Sequence, residues 1–382
     1  MADVINLTQN YQIDAILPDL MLDAFSEYGE DPLLNALPLK YENTDQIRWD
    51  MHENGYGLLN LRGLGGSLPT VQIPGMRQYL VAPGYYGEQA ILEETEMTKS
   101  RQPGTSNETL DPKDRIVFLQ QYQAQKTANR LRQTIADFLT TGTFSNKNAD
   151  GSIAHRDTIQ GYQTFAINGS LTLPRTGQSL GAGWAANPAT ANPIRDLQLL
   201  KIELQYATSS RFGEDSTILC NPQVVVDFIS TTLVQNTLKN DYGASYTLET
   251  ANALLLKSGL PKLMPYEPGY FPTLTDARNQ NYANFVRILP LKTMIWLGNR
   301  PSGQKLGMFC LTRNMGSSPP AGVPANPYSA PLSNQADLEW TKGLYVDLRY
   351  INQAPWRYEL DIVMHGGPVI HYPSAACGIS YT

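Results

Sequence analysis

Asp111-Pro-Lys-Asp-Arg-Ile-Val-Phe-Leu-Gln-Gln-Tyr-Gln-Ala-Gln-Lys-Thr-Ala-Asn-Arg-Leu-Arg-Gln-Thr-Ile-Ala-Asp-Phe-Leu-Thr-Thr-Gly142 is bounded at both ends and periodic between them. Asp111 is placed to cap a helix. Pro112 takes the first helical position, where a missing N–H costs nothing, and Asp114 adds negative charge to the first turn. Gly142 supplies the stop. Val117, Ala124, Ala128, Leu131, Ile135 and Phe138 recur at steps of 3, 4 and 7 residues, which keeps one helical face apolar. The spacing predicts one helix over residues 112–141, about 45 Å long at 1.5 Å per residue. A rod of that length beside an extended arm suits a building element better than a catalytic scaffold.

The arm lies just upstream. Residues 55–98 mix apolar side chains with glycines and prolines at short intervals: Gly55-Tyr-Gly-Leu-Leu-Asn-Leu-Arg-Gly-Leu-Gly-Gly-Ser-Leu-Pro-Thr-Val-Gln-Ile-Pro-Gly75. Val71 and Ile73, then Tyr79 and Val81, read as short strands limited by those breakers. A two-stranded arm cannot bury its apolar face alone, so it must lie on the rest of the chain or on another subunit. Glu88, Glu93, Glu94 and Glu96 make its exit acidic. The helix carries Lys113, Arg115, Lys126, Arg130 and Arg132 against Asp111, Asp114 and Asp137. An acidic arm beside a mildly basic helix suggests a charge-matched contact between subunits. Ordinary solvated charge is the plain alternative.

Further upstream, residues 14–25 read as short helical pieces broken at Pro18, and Pro32 and Pro38 keep the chain extended. Downstream, residues 143–193 show no helical period. Thr164-Phe-Ala-Ile-Asn-Gly-Ser-Leu-Thr-Leu173 is a hairpin candidate with a type I′ turn at Asn168-Gly169. A helix opens at Asn192-Pro193 with Ile194, Leu197, Lys201 and Leu204 on one side. Residues 216–220 read as a buried strand, and Asn221-Pro222 caps a helix bearing Val225, Phe228 and Ile229. Residues 194–310 thus alternate helices and strands, with further strands at 294–298 and 306–311. Five prolines between residues 319 and 331 mark a surface loop or linker, and strands return at 344–350 and 358–364.

The chain of 382 residues is 42% hydrophobic, enough for two or three packed lobes. Only 17% of residues are charged, against about 25% in an ordinary soluble domain. Together with 21 tyrosines, this fits a surface largely covered by partners. A net charge of −6 and the lack of any basic run argue against a dedicated nucleic-acid binder. Cys220, Cys310 and Cys377 are sparse and far apart, as free thiols in a reducing compartment would be. No run approaches the roughly 20 apolar residues of a membrane span. The N-terminus lacks the pattern of a signal peptide, so a cytoplasmic origin is expected.

Chemistry is hard to find. Gly298-Asn-Arg-Pro-Ser-Gly-Gln-Lys305 puts Gln304 where a phosphate-binding loop needs lysine, and reads as a strand-to-strand turn. Gly181-Ala-Gly183 lacks the third glycine of a dinucleotide fingerprint. His365, His371 and Cys377 lack an evident fourth metal ligand. Glu93, Glu94 and Glu96 could in principle pair for acid–base work, but adjacent acids at the base of an arm read better as a solvated patch. No catalytic residue, cofactor or metal is expected.

Three stretches, in this order, resemble the major capsid proteins of tailed bacteriophages with the Hong Kong 97 fold, and within them the lambda-type major capsid protein E family. The glycine-containing arm running into the long helix looks like that family's extended loop and spine helix. Ile288-Leu-Pro-Leu-Lys-Thr-Met-Ile-Trp-Leu-Gly-Asn299 followed by Gly307-Met-Phe-Cys310 is similar to its Leu-Pro-x-x-Thr-Met-x-x-Gly-Asn strand and the strand behind it. Tyr350-Ile-Asn-Gln-Ala-Pro-Trp-Arg-Tyr-Glu-Leu-Asp-Ile-Val-Met364 looks like its closing strands. Ile218-Leu-Cys-Asn-Pro222 resembles the strand and capped helix of its axial lobe.

The resemblance implies an α+β subunit with the Hong Kong 97 capsid fold. Its parts would be an N-terminal arm (1–54), an extended β-hairpin loop (55–98), and a peripheral lobe with spine helix 112–141 and an inserted hairpin (99–193). An axial α/β lobe (194–340) and C-terminal strands returning to the peripheral lobe (341–382) would complete it. Residues 144–192 and the proline loop have no counterpart in it. It implies self-assembly into hexamers and pentamers of an icosahedral shell around double-stranded DNA, which an acidic lining would touch weakly and without sequence preference. A separate scaffolding protein, a portal and a cement or decoration protein are the implied partners, with no membrane, and the virion is the implied location after assembly in the host cytoplasm. Lysines near the arm are scarce (Lys40 and Lys99), so no Lys–Asn cross-link between subunits is expected. Candidate inter-subunit contacts are Arg62, Leu64, Leu68, Val71, Ile73, Tyr79, Glu93, Glu94, Glu96, Lys126 and Arg130. The rival readings are a bacterial nanocompartment shell protein and a loop-rich β enzyme.

Overall fold

The computed structural model describes residues 31–52, 76–95, 112–147, 153–207, 211–243, 245–299, 305–313, 343–351, 354 and 356–382. Asp111 lies outside them, but the helix it was read to cap runs over Pro112–Thr141. In chain order the strands are β1 (Leu39–Tyr41), β2 (Ile47–His52), β3 (Met76–Val81), β4 (Gly84–Glu93), β5 (Thr143–Lys147), β6 (Ile153–Thr158), β7 (Gln163–Ile167) and β8 (Thr217–Cys220). They continue with β9 (Lys262–Pro265), β10 (Gly269–Tyr270), β11 (Val286–Arg287), β12 (Thr293–Leu297), β13 (Gly307–Leu311), β14 (Leu344–Ile351), β15 (Arg357–Ile370) and β16 (Ala376–Tyr381). The helices are α1 (Pro32–Ala36), α2 (Pro112–Thr141), α3 (Pro193–Ala207), α4 (Pro222–Ser230), α5 (Thr232–Tyr242), α6 (Leu248–Lys257) and α7 (Leu274–Arg278). The class is α+β.

Helix α2 ends for the reason its sequence suggests. Gly142 has φ +66°, and its N–H donates to the Phe138 carbonyl at 2.7 Å. A Cβ there would sit 2.4 Å from the Tyr162 ring, whose hydroxyl donates to the Leu139 carbonyl. Ala124, Ala128, Leu131, Ile135 and Phe138 are all fully buried.

The first sheet is organised by the 14-residue strand β15. One edge of β15 pairs with β4 over ten residues, from Arg357–Glu93 to Gly366–Gly84. The other edge takes two strands end to end: β14 along 357–364 and β13 along 366–370. Gly343 packs directly on Leu311 where these two meet. Strand β1 adds to β13 in parallel. Pro368 is tolerated within β15 because the Phe309 N–H points away, donating to the Pro38 carbonyl at 2.9 Å. The Phe309–Pro368 pair therefore exchanges no ladder bond, and the missing N–H faces the edge beyond the end of β4.

The second sheet has the order β7-β16-β12-β8-β9 and is mixed: the outer pairs are parallel and the inner pairs antiparallel. Alternate residues face two cores. Leu219 and Ile295 join the core that holds α2 and the first sheet. Ile218, Cys220, Met294, Trp296, Cys377 and Ile379 join a second core with α3, α4, α5 and α6. Burial on both faces explains the continuous apolar run Met-Ile-Trp-Leu of β12. Asn221 caps α4 as read, its side chain accepting from the Gln223 N–H at 3.0 Å.

Several segments sit differently from the reading of the sequence. Tyr79 and Val81 do lie in a strand, but its partner is β2, at 47–52, inside the stretch read as N-terminal arm. Ile47, Trp49, Tyr79 and Val81 form the inner face of that pair and rest on the first core. Val71 and Ile73 are outside the described residues. β13, read within the axial lobe, belongs to the first sheet, while β16, read among strands returning to the peripheral lobe, belongs to the second. The hairpin over 164–173 does not form. Asn168 Oδ1 instead accepts from the Ser170 N–H at 3.1 Å with Gly169 at φ +80°, and β7 pairs in parallel with β16. An Asx turn satisfies the backbone locally and frees β7 for that partner. A true hairpin forms earlier, between β5 and β6. Two buried carboxylates on α3 hold the segment that follows β7. Asp196 accepts from the Gly181 N–H at 2.8 Å and Trp184 Nε1 at 3.1 Å, and Glu203 from the N–H groups of Arg175 and Thr176, each at 3.0 Å. Burial pushes the Asp196 carboxyl above its ordinary range despite these bonds.

Replacing Gly142 by alanine forces an L-residue into left-handed backbone and against Tyr162. The expected loss is about 1–3 kcal/mol, read as a lower urea midpoint with an unchanged m-value.

Candidate assembly surface

The exposed side of α2 carries the residues singled out for contact between subunits, and part of that side is occupied by the chain's own β4. Lys126 Nζ pairs with the Glu88 carboxylate of β4 and lies 5.2 Å from the Tyr122 ring centroid. The Arg130 guanidinium sits 5.6 Å over the Tyr86 ring. Burial raises the Tyr86 phenol above its ordinary pKa, with Thr134 and Arg130 opposing the shift. Glu88 thus makes a charge-matched contact between this strand and the helix within one chain. Both partners are about half exposed, so the pair itself is worth at most about 1 kcal/mol.

Glu93 stands opposite Arg357 in the β4–β15 register, and Arg357 Nε donates to Glu359 Oε1 at 2.6 Å. Glu94 is exposed at the end of β4, its N–H donating to the Trp356 carbonyl at 3.2 Å. Tyr79 stacks on Trp49 with ring centroids 5.2 Å apart. Arg62, Leu64, Leu68, Val71, Ile73 and Glu96 lie outside the described residues. Of the five candidates among the described residues, the structure brings together Lys126 and Arg130.

A residue counted among the basic charges of the helix has a different role. Arg132 is 1% exposed, and its Nε donates to Asp31 Oδ2 at 2.6 Å, with Asp31 also 1% exposed. The carboxylate accepts as well from the Leu33 N–H at 3.0 Å, capping α1, and from the Tyr266 hydroxyl at 3.0 Å. A single buried ion pair therefore ties the start of the described chain to α2 and to the residue after β9. The signal was present in the sequence. Arg132 falls inside the apolar stripe between Ala128 and Ile135, where a charge must find a partner. Asp31-Pro32 is a capping pair.

Beside this pair a groove of about 880 Å³ runs between α2 and the β10–β11 segment, with Tyr122, Lys126, Arg130, Tyr270, Phe271 and Phe285 among its walls. Phe271 packs on Phe285 and Tyr282 at centroid distances of 5.2 and 6.0 Å. Gly269 lets the Phe285 ring approach, since a Cβ there would lie 2.5 Å from it. Tyr282, packed against Phe271, is 71% exposed.

The groups weighed for chemistry are scattered. His365 packs edge-on against Tyr85 at 4.7 Å, and burial lowers its pKa. His371 lines a smaller cleft with Lys40 and Lys305 and is likewise lowered by burial. Cys377 is buried in the second sheet, Cys220 two strands away and Cys310 in the first sheet, and burial raises all three thiols, Cys220 and Cys310 to about 12. Among the described residues, no three His, Cys, Asp or Glu side chains are grouped to hold a metal ion. No described helix is long and apolar enough to cross a membrane.

No family model matches the chain, and no curated protein does. Among solved structures, the chain is similar to a phage-related protein from Bordetella bronchiseptica RB50, at 10% identity over 95% of this chain and 96% of that one, with a TM-score of 0.49. It is similar to a capsid protein of a prophage from E. coli CFT073 at 13% identity over 80% of each chain, TM-score 0.46. A virus-like particle protein from Pyrococcus furiosus matches at 10% identity over 96% of this chain and 98% of that one, TM-score 0.43. At these identities and TM-scores the likenesses carry no functional conclusion.

Arg132→Met leaves Asp31 buried without its counter-charge, and the expected loss is about 3–5 kcal/mol. The double variant Asp31→Leu/Arg132→Met is expected to recover much of it. Urea melts of both proteins check this, and equal losses would mean the pair is not coupled.

Proposed function

We propose that this chain is a major capsid protein, a non-enzymatic subunit that self-assembles into hexamers and pentamers of an icosahedral shell around the double-stranded DNA of a tailed phage. The observation that carries the reading is the way the two-stranded stem leaves the body. β2 and β3 seat only their inner face on the first core, to which the 30-residue α2 contributes its apolar stripe, and a second sheet with its own helices forms the other lobe. A two-stranded stem with one face seated on the core suits an arm that reaches beyond its own subunit, which a monomeric enzyme does not need. The order of arm, long helix, α/β lobe and closing strands is also the order in which the sequence resembles the capsid family.

On this reading each copy presents surfaces that repeat around closed axes, and many modest contacts hold the shell by multiplicity. The virion is the protein's place, after assembly in the host cytoplasm. A scaffolding protein, a portal and a decoration protein are its expected partners besides itself, and DNA contact is weak and not sequence-specific.

Electron microscopy of the purified full chain tests the reading. Closed shells, or rings of five and six subunits, are expected. A 42.3 kDa monomer at every concentration would overturn the proposal. Deleting residues 63–75 removes the reach of the arm but leaves β2 and β3. That variant is expected to stay folded by circular dichroism yet fail to close shells.

A further inference from the structure

Strand β4 is an open edge of the first sheet. The Glu94 N–H donates to the Trp356 carbonyl, one step beyond the Glu93–Arg357 pair. Successive residues of a strand turn their backbone groups to opposite sides, so the even-numbered residues of β4 bond toward β15. Tyr85, Gly87, Gln89, Ile91 and Glu93 turn theirs away from it, and these groups have no backbone partner among the described residues. All five residues are exposed, Tyr85 by 70% and Ile91 by 47%.

Such an edge is a template for another strand, and proteins blunt it by shortness, lysine, proline or a bulge. The edge strand β1 is three residues long and carries Lys40, and the edge strand β9 is four residues long and carries Lys262 and Pro265. β4 runs for ten residues with no lysine, no proline and an unbroken register. Its mid-strand charge, Glu88, is met by Lys126 of α2. Glu88 also lines the groove beside α2, so there is open space on that side of the strand.

We propose that the occupant of this edge is β4 of a second copy, antiparallel to the first about a two-fold axis through Gln89. The five outward residues are spaced evenly about Gln89. In that register all of them are matched: Tyr85 with Glu93, Gly87 with Ile91, and Gln89 with its own copy, each pair exchanging both backbone hydrogen bonds. Moving the axis to Glu88 or Ala90 strands part of the edge, and at Glu88 it sets like charges opposite each other. With the axis at Gln89, Glu88 faces Ala90 of the second copy, and the exposed Ile91 lies across Gly87. A two-fold contact closes on itself, so the edge is consumed and no longer offered to further strands.

Gln89→Cys in the full chain tests the pairing. The three native cysteines are buried, and Cα atoms in a hydrogen-bonded antiparallel pair lie about 5.5 Å apart, within disulfide reach. Mild oxidation is expected to join two chains, seen as a dimer band on a non-reducing denaturing gel. Ile91→Cys, whose copies would lie about 13 Å apart, is expected to cross-link at least ~10-fold less. Gln89→Pro removes one outward N–H and leaves the ladder to β15 intact. It is expected to keep the circular dichroism of the parent while weakening dimerisation at least ~10-fold in sedimentation of the soluble chain. Gln89→Cys that stays reduced, or that cross-links no better than Ile91→Cys, would overturn the proposal, as would Gln89→Pro that dimerises like the parent. Closed shells without the disulfide would overturn this pairing and leave the capsid reading standing, whereas cross-linked dimers that never build rings or shells would do the reverse.

Discussion

The apolar stripe of α2 is the surface on which the rest of the molecule is hung. Ala124, Leu131, Ile135, Phe138 and Leu139 meet β15 and α1 on one side and the inward residues Leu219 and Ile295 of the second sheet on the other. Neither sheet could bury that side without the helix between them. At about 1.5–3 kcal/mol for each large side chain withdrawn from water, the stripe outweighs every polar contact described above. Its alanines let backbones approach, and the approach is closest at Gly378 of β16, where a Cβ would fall 2.0 Å from the Thr140 carbonyl oxygen. Helix position and strand register are therefore fixed together.

Much of this was legible before any coordinates. Helix α2 was, because its apolar period runs unbroken to the Gly142 stop. The buried strands β8 and β12 were, because sheets covered on both faces leave uninterrupted apolar runs. What escaped were features defined by partners distant in sequence. Ile47-Arg-Trp-Asp-Met-His alternates as a half-buried strand should, but nothing local says that it pairs with residues 76–81. The strand read over 358–364 runs on through Gly366-Gly-Pro368 because Gly366 and Gly367 sit against β13, Ile47 and Phe144 and because Pro368 occupies a position that exchanges no ladder bond with β13. The exchange of β13 and β16 between sheets is likewise a matter of long-range register.

The candidate surface divides in the same manner. The basic character of Lys126 and Arg130 was readable, whereas the identity of their partners was not, since Glu88 and Tyr86 come from a strand whose place depends on β15. Arg132 was readable as an anomaly: a guanidinium on an apolar stripe. Its partner is 101 residues away in sequence, which no spacing argument reaches. The carboxylates that burial does isolate, Asp31, Asp196 and Glu203, have their oxygens committed to backbone and side-chain donors, which suits them to holding segments in place.

Strand β15 has one further consequence. Because β13 and β14 lie end to end along the same edge, the chain leaves the sheet after Arg313 and rejoins it at Gly343 almost where it left. The hydrogen-bonded ladder is complete on either side of that seam, so the sheet places no demand on how many residues lie between. For a flexible connection, each doubling of length costs only about 0.6 kcal/mol in closure entropy. The seam is thus a position at which sequence can be gained, lost or exchanged over evolutionary time while the architecture is inherited intact, and the proline-rich stretch stands at that position.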